Sequence, residues 1–374
     1  MPKLLVEDSV TVALLPRFEA AAQMLVKALE NQRPILVRFD GDGDGISSAL
    51  SIVEALESAA VQHHYPLKLL RTVQSEGPNY RDEEATLDVG NVVPFADNKP
   101  LMVFLDHGGN DTSLPALAKL KENDFQLIVV DHHPTNVSAI EQVVDVFACP
   151  WAVCDNGSDY PTALLAYEIA CRVWPGQAEK TEYAYWGLQA DKSPFASKGT
   201  LKEPLVIEYL VKYNQDASSL PSYRRALAHP QEVERIYHLA KEKMDQAKTK
   251  AIAKAKVKPL KDLTLIVAKL NVLGGKWPPK GQLVNRLQAH YSETLAGGVV
   301  VIGYGDDKIL FRANQKAFDM GFRANTFITA LKEQMPQSVY SGGGHEVAAA
   351  MKVNREHLKP LLEQLVTMIQ TRFG

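Results

Sequence analysis

The sequence predicts a doubly wound, mainly parallel α/β domain joined by a helical linker to a smaller α/β domain. Three observations carry that prediction. Short apolar runs alternate with helical patterns through the first half; acidic and histidine residues stand at the ends of those runs; and a charged stretch without glycine precedes a second region with strand patterns of its own. The 374 residues exceed one ordinary domain of ~100 to 200, and 46% apolar content is enough for two cores.

Taken in order, Glu19 to Leu29 carries apolar residues at helical spacing, Ile35-Leu36-Val37-Arg38-Phe39 reads as a buried strand, and Ser47 to Ala60 reads as the helix after it. Leu101-Met102-Val103-Phe104-Leu105 and Leu127-Ile128-Val129-Val130 are further buried strands, with a helix at Leu114 to Glu122 between them, as parallel neighbours require. Pro161 to Val173 and Tyr183 to Ala190 read as helices. Pro230 to Lys258 is a charged helical stretch ending in Lys248, Lys250, Lys254, Lys256 and Lys258, and it reads as the interdomain helix. Beyond it, Leu263 to Lys269 and Gly298 to Ile302 are strands, Gly305-Asp306-Asp307 turns into a strand at Lys308 to Arg312, and His357 to Arg372 is a closing amphipathic helix. The expected division is 1–225 for the first domain, 226–260 for the helical linker and 261–374 for the second domain.

Composition narrows the function classes. A net charge of −3 argues against wholesale binding of long duplex nucleic acid, which normally shows as a basic domain. Acidic residues at Glu7 and Asp8 fall where a signal peptide would be apolar, and no uncharged apolar run is long enough to span a bilayer, so a cytoplasmic chain with no membrane partner is expected. Cys149, Cys154 and Cys171 are odd in number and lack zinc-ligand spacing, which reads as reduced, packed thiols.

The chemistry begins at Asp40-Gly41-Asp42-Gly43-Asp44-Gly45. Three carboxylates in five residues after a buried strand repel one another unless a cation neutralises them. A calcium loop starting at Asp40 would need glutamate at its twelfth position, where Ser51 stands. Asp106-His107 and Asp131-His132-His133 follow the next strands, where open α/β sheets place ligands. Carboxylate with imidazole suits manganese better than magnesium or calcium alone. Far along the chain, Gly342-Gly343-Gly344-His345 joins backbone amides free of side chains to a polarised donor, a combination suited to phosphate.

With these motifs in that order, most of the chain resembles the DHH phosphoesterases that carry a C-terminal DHHA1 domain, a family that includes RecJ-like exonucleases and the smaller nano-RNases. The resemblance implies that Asp42 and Asp44 are metal carboxylates, that Asp106 bridges two metals, and that His132 ligates metal while His133 faces the substrate phosphate. Asp191, in Ala190-Asp191-Lys192-Ser193-Pro194-Phe195, takes the place of the last ligand, although this segment departs from the family's Asp-Thr-Gly. Gly342, Gly343, Gly344 and His345 take the place of the substrate clamp, with the active site expected in the cleft between the two domains. Four residues before Asp42, where the family often has histidine, stands Arg38. Either Asp40 supplies a replacement ligand, or one cation is held more weakly and Arg38 pairs with phosphate or with a carboxylate of the loop. Arg312, followed by Asn314, is a candidate second anchor for the substrate.

The implied reaction is hydrolysis of a phosphodiester by water activated at two Mn2+ ions, with Mg2+ as an alternative, and with His133 and Asp106 as the catalytic residues. The family's long-strand exonucleases usually carry an added nucleic-acid-binding domain, so the chain's size points to linear dinucleotides or short oligonucleotides as substrates. A cyclic dinucleotide, a 3′,5′-bisphosphate nucleotide, a longer single strand and a non-catalytic scaffold remain alternatives, and a homodimer stays open. Trp277 or Tyr340 could stack a base, with a core role expected for either.

Overall fold

The computed structural model describes residues 2–374 except 76, 78, 93–97, 197, 198, 214–219 and 262. The chain divides into two compact units, Met1–Tyr237 and His238–Gly374.

The first unit is built on five parallel strands: β1 (Ile35–Asp40), β2 (Leu70–Ser75), β3 (Leu101–Leu105), β4 (Gln126–Val130) and β5 (Val146–Ala148). Their order, β2-β1-β3-β4-β5, reverses direction at β1, and such a switch point opens a crevice beyond the strands' carboxyl ends. Around the sheet lie α1 (Ser9–Glu30), α2 (Gly43–Gln62), α3 (Asp82–Val92), α4 (Leu114–Glu122), α5 (Val137–Glu141), α6 (Thr162–Val173), α7 (Glu182–Ala190), α8 (Glu203–Tyr213) and α9 (Leu220–Leu227). Strand side chains alternate between faces. Ile35, Val37 and Phe39 join the core made with α1, α2 and α6, whereas Leu36 joins the core of α3 and α4 with Met102 and Phe104. Helix α1 begins well before the expected Glu19: Asp8 caps it by accepting from Val10 and Thr11, and the helix runs through Pro16 because Leu14 and Phe18 are buried on either side.

The second unit has a six-stranded sheet ordered β10-β11-β9-β8-β7-β6. The strands are β6 (Lys256–Pro259), β7 (Leu263–Lys269), β8 (Gly298–Gly305), β9 (Lys308–Ala313), β10 (Val339–Gly344) and β11 (Ala348–Val353); β7 and β8 pair in parallel and the other pairs are antiparallel. The long helix α10 (Pro230–Lys254) crosses the division between units, followed by α11 (Lys280–Thr294), α12 (Gln315–Asp319), α13 (Ala324–Gln334) and α14 (Leu358–Phe373). One face of the sheet packs on α13 and α14, and the other on α11 and on Ala247 and Ala251 of α10. The expected interdomain helix therefore ends at Lys254; Lys256 and Lys258 belong to an edge strand. Among the described residues no helix is long and apolar enough to cross a membrane.

Candidate metal centre

The acidic run straddles a strand end and a helix start. Asp40 is the last residue of β1, and Asp42 caps α2 through Oδ1, which accepts from the Gly45 amide at 3.0 Å. Gly45 is required by close approach: a β-carbon there would fall 2.4 Å from the carbonyl oxygen of Asp40. Asp44, in the first turn of α2, is fully buried. Its two oxygens accept from the Thr162 and Ala163 amides at 2.7 and 2.8 Å, so the carboxylate sits on the positive end of α6.

Asp106 follows β3 with φ +57°, a left-handed backbone that costs energy outside glycine and is held here by its amide donating to the Val130 carbonyl at 2.9 Å. The Thr162 hydroxyl donates to Asp106 Oδ1 at 3.3 Å. His132 Nε2 lies 3.1 Å from Asp191 Oδ2, 3.5 Å from Asp106 Oδ1 and 3.7 Å from Asp44 Oδ2. Asp191 reaches this point from the C-terminal end of α7. Asp131 has no oxygen to spare: Oδ2 accepts from the Gly109 amide at 2.8 Å, and Oδ1 accepts from the His133 amide at 3.0 Å and pairs with His133 Nδ1 at 2.8 Å.

Three overlapping ligand sets result, with their donor atoms within 4.8 Å of one another: Asp106/His132/His133, Asp44/His132/Asp191 and Asp40/Asp42/Asp106. The first set shares Asp106 with the third and His132 with the second, so the three sets form one continuous cluster. Among the described residues, the only basic side chains ion-paired with these carboxylates are the two imidazoles, so the charge calls for cations from outside the chain. Oxygen-rich sets with imidazole at one end fit divalent ions of the manganese or magnesium kind.

Residues 34–187 match the DHH family, N-terminal domain. That segment, within the first unit, is the part of the chain that carries a DHH-family domain. The chain is 24% identical, over 406 aligned positions, to the uncharacterised protein MJ1198 of Methanocaldococcus jannaschii; the alignment takes in 93% of this chain and 53% of that protein, so the chain spans about half the length of its relative. Among solved structures, the DHH domain of a member of the s1p family of ribosomal proteins superposes with a TM-score of 0.83 at 23% identity, covering 98% of this chain and 93% of that one. An exonuclease RecJ bound to manganese superposes with a TM-score of 0.64 at 18% identity, covering 100% and 97%. The fold is shared with both of these structures.

Burial in the first unit sets the protonation of these groups when no cation is bound. Desolvation and then the charge of Asp42 push Asp40 up to about 7, and desolvation and then Asp191 do the same to Asp44. Asp106 is driven well above the carboxylate range by burial and by Asp44 and Asp42. Burial pulls His132 down, but the hydrogen bond with Asp191 and the charge of Asp44 outweigh it and raise the ring to about 9. Desolvation pushes Asp131 up, yet its bonds from His133 hold it below the ordinary range. The cation-free centre therefore stores protons that cations displace.

The DHH domain gives Arg38 a different place from the expected ones. Its guanidinium meets neither a carboxylate of the acidic run nor open space for phosphate. It donates through Nε and Nη2 to Asp88 at 3.0 and 2.8 Å, and through Nη1 to Glu84 and Ser75 at 2.8 and 2.9 Å. The cause is alternation along β1, which turns residue 38 toward α3 together with Leu36. Asp40 does stand in a ligand set.

In the second unit, Gly342 to Gly344 form the end of β10, a strand at the sheet edge rather than a free loop. His345 and Ala348 exchange backbone hydrogen bonds at 2.9 and 3.2 Å, and the pairing runs back through Gly343 opposite Ala350. By antiparallel alternation, the amides of Gly342 and Gly344 point to the open edge, and Lys332 Nζ donates to the Gly342 carbonyl there. His345 is exposed. Asn314, expected to bind substrate, is consumed as a cap: Oδ1 accepts from Ala317 and Val299, both at 2.9 Å, and Nδ2 donates to Gly297 at 3.2 Å. Arg312 is half-buried, with Nε on Asn285 and Nη1 on the Phe311 carbonyl. Trp277 is buried and donates to the Ala240 carbonyl, whereas Tyr340 is exposed. Thr162, Ala163 and Gly109, absent from the expected site, support Asp44 and Asp131 through backbone amides, which carry no side-chain signal in the sequence.

Proposed function

We propose that this chain is a cation-dependent phosphodiesterase that hydrolyses linear dinucleotides and short oligonucleotides to mononucleotides, with Mn2+ as the preferred ion and Mg2+ as the alternative. The observation that carries the reading is the convergence of Asp40, Asp42, Asp44, Asp106, Asp191, His132 and His133 into three sets linked through Asp106 and His132. Of these residues all but His133 would hold two divalent cations, which would supply Lewis acidity toward phosphoryl oxygens and a water of lowered pKa.

The protein's own part follows from its hydrogen bonds. Asp131 fixes the His133 ring through Nδ1, leaving Nε2 of a 37% exposed side chain to meet the substrate phosphate and to protonate the leaving alkoxide. Thr162 and the α6 amides hold Asp106 and Asp44 in place without adding charge. The outward amides of Gly342 and Gly344, with His345, are assigned to the phosphate or terminal nucleotide of the substrate. Arg312 remains the second anchor in this proposal. The net charge of −3 supports a small anionic substrate over a long duplex.

A second reading has a specific observation behind it. The manganese-bound exonuclease RecJ is spanned to 97% by this chain, so RecJ-type folds of this size exist, and a longer single strand is the competing substrate. Purified chain with Mn2+, offered a linear dinucleotide, a cyclic dinucleotide, a 3′,5′-bisphosphate nucleotide and a long single strand, and read by chromatography, separates the readings. Preferential release of mononucleotides from the linear dinucleotide is the expected result. Cleavage of the cyclic dinucleotide, the bisphosphate or the long strand alone overturns the choice of substrate.

A further inference from the structure

The second unit carries a groove that neither the glycine strand nor any expected site residue uses. It encloses about 590 Å³ between β6, the end of β8 and the start of α14. Lys256 and Lys258 stand two apart on β6, which directs both side chains to one face of the strand. Arg355 and Lys359 stand four apart where the chain enters α14, so the groove has a pair of cations on each wall. None of the four makes a side-chain hydrogen bond or ion pair with another described residue, and Arg355 acts on Asp306 only through longer-range charge. Glu356 and Glu363 also line the groove without pairing with these cations, which leaves it with a positive balance. The amino end of α14 adds to that potential.

Between the charged walls the lining changes character. Val267 and Leu362 are apolar, and Tyr304, near the end of β8, offers an aromatic ring. Two separated cation pairs suit a ligand with more than one negative charge, and an apolar floor beside a tyrosine suits a planar base. The volume lies inside the range of about 300 to 1,000 Å³ usual for small-molecule pockets. We propose that this groove binds a nucleoside phosphate carrying at least two negative charges, either as a free nucleotide or as part of a single strand. It is separate from the glycine strand: the sheet order puts β6 and β10 at opposite edges, five strand steps or roughly 24 Å apart.

The test uses the full chain in EDTA, so that no hydrolysis contributes and failure here leaves the proposed activity untouched. Fluorescence anisotropy follows a labelled nucleoside triphosphate, a labelled short single-stranded RNA and an acidic peptide of matched charge, each over a series of salt concentrations. Binding of the first or second probe should weaken with salt, and Lys256→Glu with Lys258→Glu, or Arg355→Ala with Lys359→Ala, should each lower affinity about tenfold or more. Tyr304→Ala should weaken the same probe while leaving circular dichroism unchanged. Binding of the triphosphate alone assigns a free nucleotide, and binding of the RNA alone or of both assigns the shared chemistry to a strand. No binding of either, affinity unchanged in both double variants, or equal binding of the peptide overturns the proposal.

Discussion

The strand-end cluster of the first unit and the glycine hairpin of the second keep their polar groups in opposite circumstances. In the cluster, Asp44 and Asp106 are almost wholly buried beside one another and beside His132, and Asp106 also holds a left-handed backbone. At the hairpin, Gly343, Gly344 and His345 are exposed, and the groups on offer are backbone amides at a sheet edge. The cluster is a region of accumulated electrostatic tension that only cations or protons relieve, whereas the hairpin costs little to leave open to water. Chemistry that moves charge needs the first kind of place, and grip on a phosphate can use the second.

The sharpest way to break this contrast is Asp106→Ala, which removes the residue shared by two of the ligand sets. Hydrolysis of a linear dinucleotide in saturating Mn2+ is expected to fall at least about 1,000-fold. Unchanged turnover would mean that the cluster is not the reacting centre.

Arg38→Met tests whether the other face of β1 is structural. It strips Asp88 of its bidentate partner in a buried position, and denaturant unfolding should show a loss of ~3–5 kcal/mol. A loss of Mn2+ affinity without loss of stability would return Arg38 to the metal side.

Tension in the cluster also has a pH signature. Asp40 and Asp44 titrate at about 7 in the folded chain, against ~3.9 when unfolded, so the folded state holds extra protons and cation-free stability falls as pH rises through that window. His132, raised to about 9, contributes stability that is full below ~6.5 and lost as pH climbs through 9, which continues the decline. Melting temperatures in EDTA should therefore drop from pH 5 to pH 9, and Mn2+ should restore more at the upper end. A flat profile in EDTA would count against buried, mutually repelling carboxylates.

The glycines sharpen the comparison from the other side. Gly344 has φ +131°, and a β-carbon there would lie 2.7 Å from the Ala348 carbonyl oxygen, so Gly344→Ala should cost ~1–3 kcal/mol by thermal unfolding. Nothing lies within 4 Å of a β-carbon at Gly343, so Gly343→Ala should leave stability nearly unchanged. If the substrate approaches that edge, KM rises several-fold with kcat retained; an unaltered KM would place the substrate elsewhere.

Legibility in the sequence followed the kind of signal each region carries. Strand β3, buried on both faces, and strand β7 keep the limits read from their apolar runs, and helix α4 keeps those read from its helical spacing. The convergence of Asp42, Asp44, Asp106 and His132 was likewise visible, since all four sit just past a strand end or in the first turn of the helix that follows one, where the fold class puts ligands. The side to which Arg38 points was not, since its acidic partners on α3 lie about fifty residues away in sequence. Gly342 to Gly344 carry no strand pattern in the sequence, because glycine seldom sits inside a strand, yet pairing with β11 recruits them. The support that Thr162 and Ala163 give to Asp44 comes from backbone amides, which no residue type announces.

Titration calorimetry of Mn2+ into the cation-free chain at pH 7, run in two buffers of different ionisation enthalpy, tests the metal centre most directly. The predicted result is two equivalents bound with net release of protons, because Asp40, Asp44 and His132 hold protons that the ions displace, and fewer equivalents in the Asp106→Ala chain. No binding, binding without proton release, or the same stoichiometry in Asp106→Ala would contradict the assignment of these residues as a two-cation centre.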